Sequence, residues 1–506
     1  MTEPAIPTLD GVPATDSAAA ESATTSARNR LVIGLMLVSA FVVILNETLM
    51  GVALPVLMRE LRVDANAAQW LSTAFMLTMA VVIPITGWLI QRFNTRPVFI
   101  AAMTLFTFGT LIAAIAPGFA VLLLARVVQA SGTAIMMPLL FTTVMTLVPP
   151  AARGRTMGNI SIVISVAPAL GPTISGLILS VLDWRWMFIL VLPIAIAALA
   201  LGFARIRNVT TPKPTHFDVF SVIVSAFGFG GIVYGLSNLG AVASGDNPLN
   251  GWLPLGVGVI ALAIFILRQL QLQRRDDALL DLRTFRSGQF TFAITMILVS
   301  MLALFGTIIL LPIYLQNVLG LDTLGTGLLL LPGGLLMGLL APIVGRIYDR
   351  IGPTALVVTG STLVSVVFWG MAMFTENTPF WWVLAAHIVL SLALALMFTP
   401  LFTSGLGALT PDLYSHGSAI VGTVQQVAGA AGTALFVTIM TAQAATLTAR
   451  GATEVTATAG GIQLAFLAGA IISLFAIPLA AFIRRPADTV AGVPADTEPE
   501  ASADRH

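Results

Sequence analysis

The sequence predicts an all-α integral membrane protein of fourteen transmembrane helices, arranged as two parallel six-helix repeats with a central helix pair inserted between them. Three observations lead there. The composition is too apolar for a surface that faces water. The apolar runs have membrane-spanning length. One six-helix pattern occurs twice.

Of 506 residues, 57% are hydrophobic and only 9% charged, and the mean hydropathy is +0.96. A soluble domain carries about 25% charged residues, so lipid must be the solvent for most of this chain. A net charge of +1 leaves no basic field to attract nucleic acid. The absence of cysteine excludes disulfides, thiolate metal sites and thiol nucleophiles. The histidines, His216, His387, His416 and His506, are scattered, and no pair has zinc-ligand spacing. No nucleophile–base constellation or phosphate-cradling loop occurs, so no enzyme, catalytic residue, metal or cofactor is expected.

In chain order, residues 1–30 begin rich in Ala, Ser, Thr and Pro and read as a disordered tail rather than a signal peptide, because the apolar run that follows is too long for one. A membrane helix needs ~20 mostly apolar residues. The first six-helix unit, 31–206, has such runs at 31–57, 68–90, 98–117, 119–147, 157–181 and 187–206. A linker, 207–289, carries two more at 218–239 and 251–270. The second unit, 290–483, has runs at 290–315, 324–345, 354–374, 380–402, 416–441 and 461–483. Residues 484–506 read as a second disordered tail.

Charge gives an independent check, since Lys and Arg favour cytoplasmic loops. An even span count puts both termini on one side. With the termini inside, only Arg59, Arg62, Arg185 and Arg450 fall outside and Arg126 falls within a span; the remainder of the 24 Lys and Arg lie inside. The expected location is therefore a cytoplasmic (inner) membrane, with both termini cytoplasmic.

The repeat is visible around the second and tenth spans. "IPITGWLIQRF" (83–93) and "APIVGRIYDRI" (341–351) align so that Pro84, Gly87 and Arg92 match Pro342, Gly345 and Arg350 at one common offset. Leu54-Pro55 matches Leu311-Pro312 one residue out of that register. Parallel six-helix halves with a site between them are a transporter architecture.

Four further stretches carry a family resemblance. They are "GWLIQRFNTR" (87–96), "LLLARVVQASGTA" (122–134), "GNISIVISVAPALGPTISG" (158–176) and "DWRWMFIL" (183–190). With them the chain, over about 30–485, resembles the 14-span drug:proton antiporter branch of the major facilitator superfamily. "LNETLMGVALP" (45–55) is most similar to the lincosamide-type exporters within it. The resemblance implies a cytoplasmic gate at Gly87, Gln91, Arg92 and Arg96, echoed by Gly345, Asp349 and Arg350. The first copy departs from the family pattern, since Gln91 stands where an acid is expected; it can accept a hydrogen bond but holds no ion pair. The resemblance also implies an antiporter-motif seam at Gly158, Gly171, Pro172 and Gly176. Small residues there allow close helix contact and Pro172 can bend the helix, although generic helix packing uses the same residues.

The residues themselves point to proton coupling. Glu47 lies three residues, or ~4.5 Å, from the middle of its span. An acid there costs roughly 2.5–3.5 kcal/mol on insertion scales, and intramembrane acids are functional by default. Leaving water favours the neutral acid. Arg126 stays charged and must find a partner or water; pairing with Glu47, helping its proton leave, and a structural role on backbone carbonyls are all open to it. Gln129 shares its face at i+3. Asn46, Thr48, Gln129, Tyr314, Gln316, His387, Gln425 and Gln426 are candidates for a substrate cavity, with interhelical bonding as the alternative for each. The expected function is proton-driven efflux of an amphipathic drug or similar small molecule by a monomer, whose partners are the substrate, protons and the bilayer. Export of a native metabolite or lipid is the alternative within transport, and a non-transporting membrane sensor the alternative outside it.

Overall fold

The computed structural model describes residues 14–209, 212–243 and 247–485. Among them there is no strand, and fourteen helices are long and apolar enough to cross a membrane. The first group is α1 (Ala14–Leu61), α2 (Ala65–Arg92), α3 (Thr95–Ala114), α4 (Phe119–Leu147), α5 (Arg153–Val181) and α6 (Trp186–Arg205). The inserted pair is α7 (Val219–Ala243) and α8 (Leu249–Leu272). The last group is α9 (Gly288–Ile313), α10 (Thr323–Ile351), α11 (Thr354–Met371), α12 (Phe380–Gly407), α13 (Tyr414–Ala449) and α14 (Glu454–Ala480).

Helix α1 runs from Ala14, so it takes in the later part of the first expected tail as well as the first span. Residues 1–13 and 486–506, the remainder of the two expected tails, lie outside the described residues.

The repeat extends into capping. Asp64 caps α2 by accepting from the Ala67 N–H at 2.7 Å, and Asp322 caps α10 by accepting from the Gly325 N–H at 2.9 Å. These two acids keep the register of Pro84 and Pro342. Each capped helix then packs on the fifth helix of the other group: α2 on α13, and α10 on α5. The two groups are thus bundles joined by two equivalent seams.

Both seams are tight at the end where Arg92, Arg155, Arg346, Arg350 and Arg484 cluster, the basic end. Along α5 and α10 the backbones touch at Gly154 and Gly345, at Gly158 and Ala341, and again where Gly334 meets Ala169. Seven residues further in the same register, Gly176 and Gly327 meet nothing within 4 Å. The α5–α10 seam therefore closes at the basic end and parts towards the opposite end.

The inserted pair lies on one seam only. Helix α7 packs on both α2 and α13. Trp70 stacks on Tyr234 at 5.7 Å and Trp88 tilts against Phe217 at 4.6 Å, which fixes the pair to α2 near both ends. Gly231 and Gly258 let α7 and α8 run backbone to backbone, the close approach that small residues permit in lipid.

Candidate functional site

Asn46, Glu47 and Thr48 project from one turn of α1 in three directions. Asn46 turns to α4, where its Oδ1 accepts from Arg126 at 3.3 Å. Thr48 turns to α5. Its hydroxyl donates to the Leu45 carbonyl at 2.9 Å and reaches the Ala167 carbonyl at 3.5 Å, and Gly171 lies hard against it. Glu47, between them, points at the gap between α4 and α5. Both of those helices contact the other bundle, so the carboxyl faces the space between bundles. Its position agrees with that of Val38, two and a half turns earlier and hence on the opposite face, which is 54% exposed on the outer surface. Glu47 is half-buried and makes no hydrogen bond or ion pair among the described residues. It stands at the level of Ala167 and Ala169, where Gly334 makes the last of these close contacts of the α5–α10 seam.

Arg126 is 1% exposed. Its NH1 donates to Gln129 Oε1 at 2.7 Å as well as to Asn46. Gln129 in turn donates to the Thr110 hydroxyl at 2.8 Å, which donates to the Phe106 carbonyl at 2.7 Å. The guanidinium lies 4.0 Å over the Phe75 ring, a favourable cation–π geometry. Two buried donors end this chain without an acceptor, Arg126 Nε and Asn46 Nδ2. Arg126 and Glu47 feel each other's charge but form no salt bridge. Of the roles open to Arg126, direct pairing with Glu47 is thus absent here, and its partners are side chains rather than backbone carbonyls.

The gate residues gather at the basic end. Asp349 accepts from the Gly154 and Arg155 N–H groups, each at 2.9 Å, across the α5–α10 seam. This places an anion on the positive end of α5. At the matching place on the other seam, Gln91 bonds His416 at 3.2 Å and donates to the Asp412 carbonyl at 3.2 Å, while Gly87 lies against His416. The neutral amide replaces the acid and still bridges the bundles. Lys213, in the segment before α7, donates from its backbone to the Gln91 carbonyl at 3.0 Å and from its side chain to Asp412 at 2.5 Å. Arg96 instead holds its own bundle, donating to the Phe203 carbonyl at 2.9 Å. Arg92 and Arg350 are exposed beside the gate.

Several expected positions fall elsewhere. Of the antiporter-motif residues, Gly158 lies in the seam between bundles, where a Cβ would come within 2.5 Å of the Ala341 carbonyl. Gly171 faces α1 within its own bundle, Gly176 faces open space, and the side chain of Pro172 lies outside the described residues. Tyr314 is fully buried within its bundle, stacked on Phe374 and donating to the Thr375 carbonyl at 2.6 Å. Gln316 is exposed in the turn that ends α9. His387 bonds the Leu330 carbonyl at 3.0 Å between α12 and α10. Tyr314 and His387 are therefore held by partners within their own bundle. Gln426 does cross it, with its amide 3.8 Å from Met79 Sδ on α2, and Gln425 beside it is half-buried. Phe75, Thr110, Lys213, Asp412 and the gate role of His416 had no signal in the sequence beyond ordinary residue types.

Comparison with known proteins follows the same outline. The Major Facilitator Superfamily model matches residues 36–433. The chain is 42% identical over 457 residues to the MFS-type transporter YcnB of Bacillus subtilis strain 168, covering 90% of this chain and 95% of that one. It is 40% identical over 459 residues to the lincomycin resistance protein LmrB of Listeria monocytogenes, covering 90% and 96% respectively. Among solved structures, the human organic anion transporter MFSD10 (TETRAN) superposes with a TM-score of 0.64 over 89% of this chain and 99% of that one; at 16% identity the likeness concerns the fold.

Proposed function

The chain belongs to the major facilitator superfamily, and from that premise we propose that it is a proton-coupled exporter of amphipathic drugs or similar small molecules, working by alternating access. The reading places it in the cytoplasmic membrane as a monomer, with the basic end and both termini in the cytoplasm. In that orientation the closed gate faces the cytoplasm and Glu47 is reached from outside.

The observation that carries the proposal is the pairing of opposites around Glu47. A carboxyl without a donor stands beside two buried donors without an acceptor, Arg126 Nε and Asn46 Nδ2. A buried donor left unpaired costs about 1–3 kcal/mol. An ionised Glu47 would turn to those donors, and a protonated Glu47 would leave them free. Proton entry from outside and release inside then couple to which end is open. Names of relatives such as the lincomycin resistance protein support a drug substrate. Glu47 is the one acid deep in a span, which favours neutral or monocationic amphipaths over multiply charged cations.

The energetics suffice. At ~2.3 kcal/mol per charge per 100 mV, a proton-motive force of about 150 mV supplies ~3.5 kcal/mol per proton. At 1.4 kcal/mol per decade, one-for-one exchange sustains a gradient of roughly 300-fold.

The test is substrate-induced proton movement in everted vesicles carrying a respiration-generated pH gradient. Lincosamides, dyes and other amphipaths are added to wild type and to Glu47→Gln. Dissipation by a compound with wild type and not with Glu47→Gln is the expected result. An equal response of the two would remove Glu47 from the coupling step. Silence of the whole panel with inserted wild-type protein would turn the reading towards a native metabolite.

A further inference from the structure

A groove of about 420 Å³ runs between α1 and α6 on the outer surface, lined by Leu31, Gly34, Leu35, Val38, Ile194 and Leu201 among others. Its floor is low because a Cβ on Gly34 would meet nothing within 4 Å. The groove lies on the opposite side of α1 from Glu47 and takes no part in the site described above.

Its apolar stripes run on in register to arginines. On α1, Val38, Leu35 and Leu31 are followed one turn nearer the basic end by Arg28. On α6, Ile194, Ala198 and Leu201 are followed one turn nearer the same end by Arg205. Residues three and four apart share a helix face, so the groove opens at the basic end between two cations. Both arginines are exposed. An apolar trough of this kind in a bilayer takes an acyl chain, and the paired cations select the charge of what is attached to it.

We propose that the α1–α6 groove binds one anionic phospholipid from the leaflet at the basic end, with an acyl chain along Gly34 and the phosphate between Arg28 and Arg205. The inference is independent of the transported substrate and of proton coupling. Each basic residue near a membrane surface contributes ~1 kcal/mol towards an anionic lipid. Removing both arginines should therefore weaken the preference at least ~10-fold.

The test is native mass spectrometry of the full-length protein in detergent, titrated with phosphatidylglycerol and phosphatidylcholine of matched acyl chains. Wild type should retain one phosphatidylglycerol in preference to phosphatidylcholine. Arg28→Ala with Arg205→Ala should lose the preference, and Arg28→Lys with Arg205→Lys should keep it. Gly34→Leu, which fills the floor, should weaken retention of both lipids; Leu201→Trp fills the trough from the other helix if that variant does not fold. No preference in wild type, or an unchanged one in the double alanine variant, would overturn the proposal. So would undiminished binding in the filled-groove variant, or displacement of the lipid by glycerol phosphate, since either reduces the site to a headgroup patch. Stoichiometric displacement by an amphipathic drug would make the groove a substrate path and overturn it as a lipid site.

Discussion

Asp349 offers a direct test of what holds the basic end shut. Its carboxylate takes two of the N–H groups in the first turn of α5, at Gly154 and Arg155, each at 2.9 Å. A helix N-terminus leaves four such groups without partners. Asp349 comes from the other bundle, so Asp349→Ala removes an interaction that exists only in the closed arrangement. Charge-assisted hydrogen bonds are worth about 1.5–3 kcal/mol when buried. These lie near the rim, where water replaces part of the loss, so the helix-cap scale of about 1–2 kcal/mol applies to the pair. That shifts the ratio of closed to open about 5–30-fold. The chain has no cysteine, which makes site-directed spin labelling simple. Ala151→Cys and Ala481→Cys are exposed at the basic end on different bundles. Dipolar spectroscopy should give one short distance in this background and a second, longer one after Asp349→Ala. An unchanged distribution in a folded Asp349→Ala variant would show that the carboxylate cap does not hold the seam.

Three other expectations follow from the geometry. Arg126→Leu leaves Asn46 Oδ1 and Gln129 Oε1 without a donor, at a cost of about 1–3 kcal/mol for each; an unchanged thermal midpoint in detergent would contradict the network. Gly345→Val puts a Cβ into the Gly154 carbonyl, so the protein should insert normally, fail to close at the basic end and transport nothing, and normal transport would refute the close contact. At the membrane edge, partial burial pushes the Asp218 carboxyl up, but hydrogen bonds from Arg268 and Ser221 and the Arg268 charge outweigh it and hold it below the usual range. Its stabilisation is then present above about pH 4 and lost as pH falls through the lowered value. With Arg268 at 38% side-chain exposure the effect is about 1 kcal/mol or less. The difference in stability between wild type and Asp218→Asn should be seen at pH 7 and shrink below about pH 4; a constant difference would refute the assignment.

The fourteen spans were legible because lipid imposes length and polarity on each span separately. Even the repeat showed, through Pro84 and Pro342 and their neighbours. Within the site, Asn46, Glu47, Arg126 and Gln129 stood out for the same reason, as polar groups where lipid tolerates few. Phe75 and Thr110 were invisible, because Phe and Thr are ordinary in any span and only packing brings them to Arg126 and Gln129. Tyr314 and His387 show the converse. Polarity marked them, but the face each turns to its neighbours depends on how α9 and α12 sit in the bundle. The partners of the gate, Lys213, Asp412 and His416, are far from Gln91 in sequence, and no local pattern announces them.

Helix α7 lies across one seam and leaves the other bare. It touches α2 and α13 together, and the Lys213 segment joins α2 to the turn that leads into α13 at the basic end. The two lines along which the bundles meet are therefore mechanically unlike. One has a post along its length, as the hinged side of a door has, and the other has none. An opening at the basic end that left α7 seated on both α2 and α13 would have to widen along the α5–α10 line, where neither inserted helix packs.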